Sequence, residues 1–179
     1  MKTKNLERYL NSFANNVLKD SKSILKSTKG STKLASSLRT EVSPDPNGFS
    51  VRFYMADYGT FVDKGVSGNK EIQEFKTWDG RKVESPFKYK SKMPPPNIIS
   101  KWISARGIKG RSAKTGRFIT NNSLSYLIAK KIQMRGIKST SFFQKPLGLA
   151  MKKFGVGLLE AVKEDMLTVF SDEIKTTIE

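Results

Sequence analysis

At Met55 the hydrophobic period of the chain changes, and that change commits it to mixed structure. Phe49, Val51, Phe53 and Met55 fall on one face of a half-buried strand. From Tyr58 the spacing turns helical, with Tyr58, Phe61 and Val62 at i, i+3 and i+4. Asp57 is placed to cap this short helix and Gly65 to stop it. A strand thus delivers an aromatic pair to the edge of a core. Upstream, Glu41-Val42 starts a partner strand, and Pro44-Asp45-Pro46-Asn47-Gly48 is turn chemistry, since proline presets φ and Asn-Gly accepts positive φ.

Around this hairpin the predicted elements are helical. Leu6, Leu10, Phe13, Val17 and Ile24 form a stripe on a helix from about Lys4 to Thr28. Lys29-Gly30-Ser31-Thr32 breaks it, and Ser31 or Thr32 can cap a short second helix through Leu38. The last helix opens at Lys145-Pro146 and extends toward Ile178. Its apolar positions are Leu147, Met151, Phe154, Leu158, Val162, Met166, Val169 and Ile174. At 1.5 Å per residue it spans roughly 50 Å. Gly148, Gly155 and Gly157 weaken it in isolation, so packing must support them or the helix breaks near Gly155.

Between these parts lies an extra segment. Ser67-Gly68-Asn69 reads as a loop, and Phe75 to Glu84 as a hairpin turning at Asp79-Gly80. Phe87-Lys88-Tyr89-Lys90 alternates rings and lysines, the pattern of a protected edge strand and also of a nucleic-acid-binding sheet. Pro94-Pro95-Pro96 leads into a helix on which Ile99, Trp102, Ile103 and Arg106 share a face, Trp102 being the expected packing anchor and Gly107 the stop. A further helix from about Asn122 to Arg135 presents Leu124, Leu127, Ile128 and Ile132, and Gly136 ends it.

Net charge is +17 over 179 residues, and it is unevenly placed. Residues 1–40 sum to +7, 41–84 to −2, 85–159 to +16 and 160–179 to −4; the third segment holds sixteen Lys/Arg and no Asp or Glu. The loop Ile108 to Phe118 concentrates Lys109, Arg111, Lys114 and Arg117 with two glycines and two hydroxyls. It reads as a mobile finger suited to phosphates or an acidic protein face, or else as a solvated loop. It is not a P-loop, because the Gly-Lys-Ser/Thr order and a presenting strand are absent.

Cysteine and histidine are both absent, which removes thiol and imidazole chemistry, disulfides and most zinc sites. No cofactor or metal is expected. Asp57 and Asp63 flank the short helix, and capping or solvation accounts for both, so no catalytic residue is assigned. No apolar run reaches membrane-spanning length, and a soluble protein made in a cytoplasm is expected.

Three blocks recur in an order that resembles the neck and tail-completion proteins of tailed bacteriophages. The first is Leu34, Ser37 and Leu38; the second Tyr58, Phe61, Val62, Asp63 and Gly65; the third Phe143, Pro146, Leu147 and Ala150. They cover about half the chain, and residues 67–139 have no counterpart in the compact members of that family. The resemblance implies a structural virion protein in a homo-oligomeric ring, hexamer or dodecamer, between the DNA-filled head and the tail. It implies as partners neighbouring portal or adaptor and tail-tube or tail-terminator proteins, and duplex DNA in the channel. The expected architecture is α+β: a small antiparallel sheet flanked by the N- and C-terminal helices, formed by residues 1–66 and 140–179, with 67–139 as a basic insert of a β-hairpin and a helical hairpin. The competing expectation is a free nucleic-acid-binding protein.

Overall fold

In the computed structural model, residues 3–28, 32–46 and 48–178 are described. Lys29, Gly30, Ser31 and Asn47, assigned above to a break, a cap and a turn, lie outside them. The fold is α+β, and the chain divides into two compact units: residues 1–59, 76–81 and 141–179, and residues 60–75 and 82–140. Residues 60–66 thus belong to the second unit and 76–81 to the first.

The first unit is built on two long helices, α1 (Lys4–Ser27) and α6 (Gln144–Ile178). On α1 the buried stripe is Leu10, Ala14, Val17, Ser21 and Leu25, at strict steps of four and three, with Phe13 and Ile24 only half-buried beside it. Helix α2 (Thr32–Ser37) buries Leu34 and Ala35, and Leu38 follows them into the core. Strands β1 (Arg39–Asp45) and β2 (Gly48–Tyr54) pair antiparallel from Arg39–Tyr54 to Asp45–Gly48. That register is what a two-residue connection after Asp45 dictates. Each fully buried Leu here contributes about 1.5–3 kcal/mol of transfer free energy.

Helices α1 and α6 run antiparallel, since Asn5 and Leu6 meet Asp165 while Phe13 meets Phe154. The Tyr9 hydroxyl donates to the Phe154 carbonyl at 2.9 Å, and burial together with the nearby Glu160 charge raises the Tyr9 phenol above its ordinary pKa. Asp165 is buried, and its two carboxylate oxygens each accept an α1 backbone N–H at 3.0 Å, from Asn5 and Leu6. Thr3, which precedes α1, makes no side-chain cap, so a residue 160 positions away supplies it.

Helix α6 does not break. It is continuous through Gly148, Gly155 and Gly157, and two of these glycines are explained by close approaches. A Cβ at Gly148 would lie 2.2 Å from the Trp78 carbonyl oxygen, and one at Gly157 2.4 Å from the Tyr9 ring, whereas at Gly155 nothing lies within 4 Å. Two substitutions therefore have opposite expected signs. Gly155→Ala stabilises by about 0.5–1 kcal/mol through helix propensity alone. Gly148→Ala destabilises by about 1–3 kcal/mol, because the Trp78 backbone must move. Urea unfolding of the two variants beside the parent chain checks both.

The second unit contains the rest of α3 (Gly59–Lys64), β3 (Val66–Ser67), β4 (Glu74–Lys76, to Phe75), β5 (Lys82–Glu84), α4 (Pro96–Ala105), α5 (Asn121–Arg135) and β6 (Gly136–Ile137). Strands β4 and β5 pair, as the Asp79-Gly80 turn required. Ser67-Gly68-Asn69 is not a plain loop, because Val66–Ser67 pairs antiparallel with Gly136–Ile137. On its other side Ser67 bridges Lys88 in parallel, donating its N–H to the Phe87 carbonyl and accepting from the Tyr89 N–H, both at 2.8 Å. Phe87 and Tyr89 are half-buried and Lys88 and Lys90 exposed, so the alternation holds although the run forms only a bridge.

Helix α4 starts with Pro96 at its first position and α5 with Thr120 as its cap, whose side chain accepts the Ser123 N–H. Their contact corrects two expectations. Trp102 is 45% exposed, and Ile103 is the residue of α4 buried completely. On α5, Leu127 is 53% exposed while Ser125 and Ala129 are buried. Close approach of the two helices selects small side chains at the seam and turns the larger ones outward.

Candidate functional site

The basic segment between α4 and α5 is a small hydrogen-bonded hairpin rather than an irregular loop. Arg111 and Phe118 form an antiparallel bridge, the Ser112 N–H donates to Arg117 carbonyl at 2.9 Å, and the Ile119 N–H donates to Gly110 carbonyl at 3.0 Å. The Gly116 N–H closes the turn on Ser112 carbonyl at 2.9 Å, with Gly116 at φ +66°. At its base Gly110 packs closely: a Cβ would stand 2.8 Å from Leu124 Cδ1 of α5 and 3.1 Å from Ile119, so those side-chain ends would have to shift. The hairpin is therefore seated on α5.

Lys109, Arg111, Lys114 and Arg117 are all exposed on it. Two of them gather over one ring that the sequence reading left without a role: the Arg111 guanidinium lies 4.4 Å and the Lys109 ammonium 6.0 Å from the Phe118 centroid. Phe118 itself is 61% exposed. The same pairing recurs elsewhere in the unit, with Arg106 over Trp102 and Lys130 over Tyr126. Exposed rings held under cations offer a stacking face and a phosphate-facing charge together. The spacing of Arg111 and Phe118 about a Thr115-Gly116 turn was the signal available for the hairpin.

The motif residues have identifiable neighbours within each unit. Leu34 and Leu38 are core residues, and the Ser37 hydroxyl accepts the Ala56 N–H at 3.1 Å, which ties the first block to the start of the second. Leu34 also closes on Gly59, where a Cβ would meet its Cδ1 at 3.1 Å. Phe143, opening the third block, packs edge-on to Phe53 of β2 at 5.3 Å; Pro146 is buried and Leu147 and Ala150 half-buried. In the second unit, Gly65 takes φ +73° and a Cβ there would stand 2.7 Å from the Ile137 carbonyl oxygen, so no other residue fits without a shift. The Val62 carbonyl accepts both the N–H and the hydroxyl of Thr140. Tyr58 and Phe61 are 47% and 42% exposed, and Phe61 lies 4.4 Å from Phe87.

The acidic pair behaves differently from expectation. Helix α3 begins at Gly59 after an Ala56–Gly59 turn, so Asp57 sits in that turn and not at the residue flanking the helix. Asp63 is buried, so solvation does not explain it, and both residues have interaction partners. Among the described residues no group of three metal-ligating side chains occurs, and no helix is long and apolar enough to cross a membrane.

An open cleft of about 660 Å³ lies in the first unit, where Trp78, Lys145, Leu149 and Lys152 line it. A second, of about 610 Å³, lies in the second unit beside Phe61, Phe87, Tyr89 and Ile137. The first lining also includes Thr77 and Asp79, and the Thr77 hydroxyl donates to the Asp79 carboxylate. Compared with models of protein families, with curated proteins and with solved structures, the chain has no match.

Proposed function

We propose that this chain is a structural subunit of a tailed phage particle, part of the neck ring that joins the DNA-filled head to the tail. The observation that carries this reading is the order of the three blocks, supported by their use in the fold. Leu34, Leu38 and Pro146 build the core, Ser37 and Gly65 fix the backbone, and Tyr58 and Phe61 remain at the surface. In this role the scaffold residues carry subunit contacts to portal, adaptor or tail proteins. The acid-free segment faces duplex DNA in the channel or an acidic neighbouring protein. Quantitative mass spectrometry of purified particles tests it: the chain is expected in simple ring proportion to the portal subunit, and its absence from mature particles overturns the reading.

A second reading, a free nucleic-acid-binding protein, is favoured by one observation, the exposed Phe118 ring held under Lys109 and Arg111. Its distinguishing result is duplex binding by the purified chain combined with absence from particles.

A further inference from the structure

Three aromatic rings of the second unit stand exposed with a cation over each. Trp102 of α4 lies under Arg106 at 5.4 Å, Phe118 of the basic hairpin under Arg111 at 4.4 Å, and Tyr126 of α5 under Lys130 at 6.0 Å. The rings are 45%, 61% and 47% exposed, so each keeps open surface that its cation does not cover. Two of the pairs are built into helices, since Trp102 to Arg106 and Tyr126 to Lys130 are i, i+4 steps that bring the side chains together on one face. The third depends on the antiparallel Arg111–Phe118 bridge. Asn121 Nδ2 donates to Ser104 Oγ at 3.0 Å, which joins the end of α4 to the start of α5. Trp102 lies within about one turn of that junction and Tyr126 within about two, and the hairpin carrying Phe118 spans it. All three rings therefore gather at one end of the helix pair.

Cation-covered rings occur roughly once per 70–80 residues in folded proteins, whereas residues 102–130 hold three. Residues 85–140 hold thirteen Lys/Arg and no acid, so the partner that this surface fits is anionic. Three kinds of anionic partner present different chemistry to it. An acidic protein face offers carboxylates, which the negative face of an aromatic ring repels. A duplex offers phosphates and base edges in its grooves, while its base faces stay stacked inside. A single strand offers unstacked base faces and phosphates together, and it alone of the three uses the rings and the cations at once.

We propose that this end of the α4–α5 pair binds single-stranded nucleic acid in preference to duplex, with bases stacked on Trp102, Phe118 and Tyr126 and phosphates met by Arg106, Arg111 and Lys130. The preference deepens the nucleic-acid reading above and rests on it for the class of partner. What it adds is the form of the strand and the residues that select it. DNA and RNA strands share the chemistry that these rings recognise, a base face beside a phosphate.

The test uses the full chain and labelled probes of about 20 nucleotides: oligo(dT), oligo(rU) and a mixed-sequence duplex. At about 0.2 M salt, where phosphate contacts are weakened, the better single strand is expected to bind about tenfold more tightly than the duplex, and its identity names the sugar. Trp102→Ala and Tyr126→Ala are each expected to weaken single-strand binding roughly 5–150-fold, the loss of one stacked base, with duplex binding held within about twofold. Leu127→Ala, which shortens an exposed aliphatic side chain on the same helix as Tyr126, is expected to change neither. All three positions are exposed, and circular dichroism verifies that the variants fold. In Trp78→Phe, Trp102 is the one remaining tryptophan, and its emission is expected to be quenched when the better strand saturates the chain. A duplex bound as tightly as both single strands, ring variants that weaken duplex and single strand alike, or unquenched Trp102 emission at saturation overturns the proposal and leaves the wider nucleic-acid reading standing. Binding of no probe at low salt overturns both, and membership of the particle is decided separately by its mass spectrometry.

Discussion

If the acid-free segment contacts duplex DNA, as proposed, replacing Lys109, Arg111, Lys114 and Arg117 together by Gln is expected to lower that affinity about 100-fold at 0.2 M salt. The basis is counterion release: each phosphate neutralised contributes about 0.9 to the slope of log K against log salt, so four contacts remove roughly 3–4 from that slope. The four side chains are exposed on one short hairpin whose base is fixed on α5 by Gly110, Ile119 and Leu124, so their removal leaves the fold unchanged. Phe118→Ala separates stacking from charge. It is expected to weaken single-stranded binding by about 1–3 kcal/mol without altering the salt slope. Fluorescence anisotropy across a salt series reads both quantities. A slope that does not change in the quadruple variant counts against this hairpin as a DNA contact, and a parent chain that binds no duplex at low salt counts against any DNA role.

The largest stability effect is expected at Asp165. Its carboxylate satisfies two backbone donors at the start of α1 from a position 2% exposed, so Asp165→Ala removes the acceptor of two half-buried N–H groups. Hydrogen bonds to a charged group contribute about 1.5–3 kcal/mol each, and losing two with partial relaxation costs about 3 kcal/mol. For a chain of this size that corresponds to a fall in Tm of about 6–12 °C. Asp165→Asn retains one acceptor and is expected to fall between the parent and the alanine variant in thermal unfolding. A loss below about 1 kcal/mol for Asp165→Ala would mean that water caps α1 equally well.

These two sites also mark how far the sequence could be read. Caps, turns and stops are local chemistry, and they placed most elements correctly. Gly136 ends α5, the Pro44-to-Gly48 turn makes the β1–β2 hairpin, and α4 follows the Pro94-Pro95-Pro96 run, beginning at Pro96 itself. Asp165 was invisible as a cap because its partners lie about 160 residues away and nothing local distinguishes it from a solvated acid. The α4–α5 seam was misread for a related reason. Counting large apolar residues selected Trp102 and Leu127, whereas a close helix crossing is lined by Ser125 and Ala129, whose small size is the signal. The α1 stripe erred in the same direction, giving Phe13 and Ile24 weight that belongs to Ala14, Ser21 and Leu25. Two-residue strands such as β3 and β6 have no period to detect, since pairing rather than alternation defines them. At the basic hairpin the cations were legible by type, but Phe118 was not, because a ring at the end of a polar loop acquires a role only once the turn folds it back onto Arg111.

The pairing of Val66–Ser67 with Gly136–Ile137 brings both ends of the intervening chain to one point. The chain enters and leaves this segment at neighbouring positions, while residues 76–81 within it belong to the first unit, where the Trp78 carbonyl meets Gly148. Loop-closure entropy grows only with the logarithm of length, so enlarging such a segment costs the rest of the molecule little. A junction of this form works as a socket. Outside residues 76–81, the segment it holds can lengthen at an exposed turn while the residues around Gly65 and Gly136 keep their geometry.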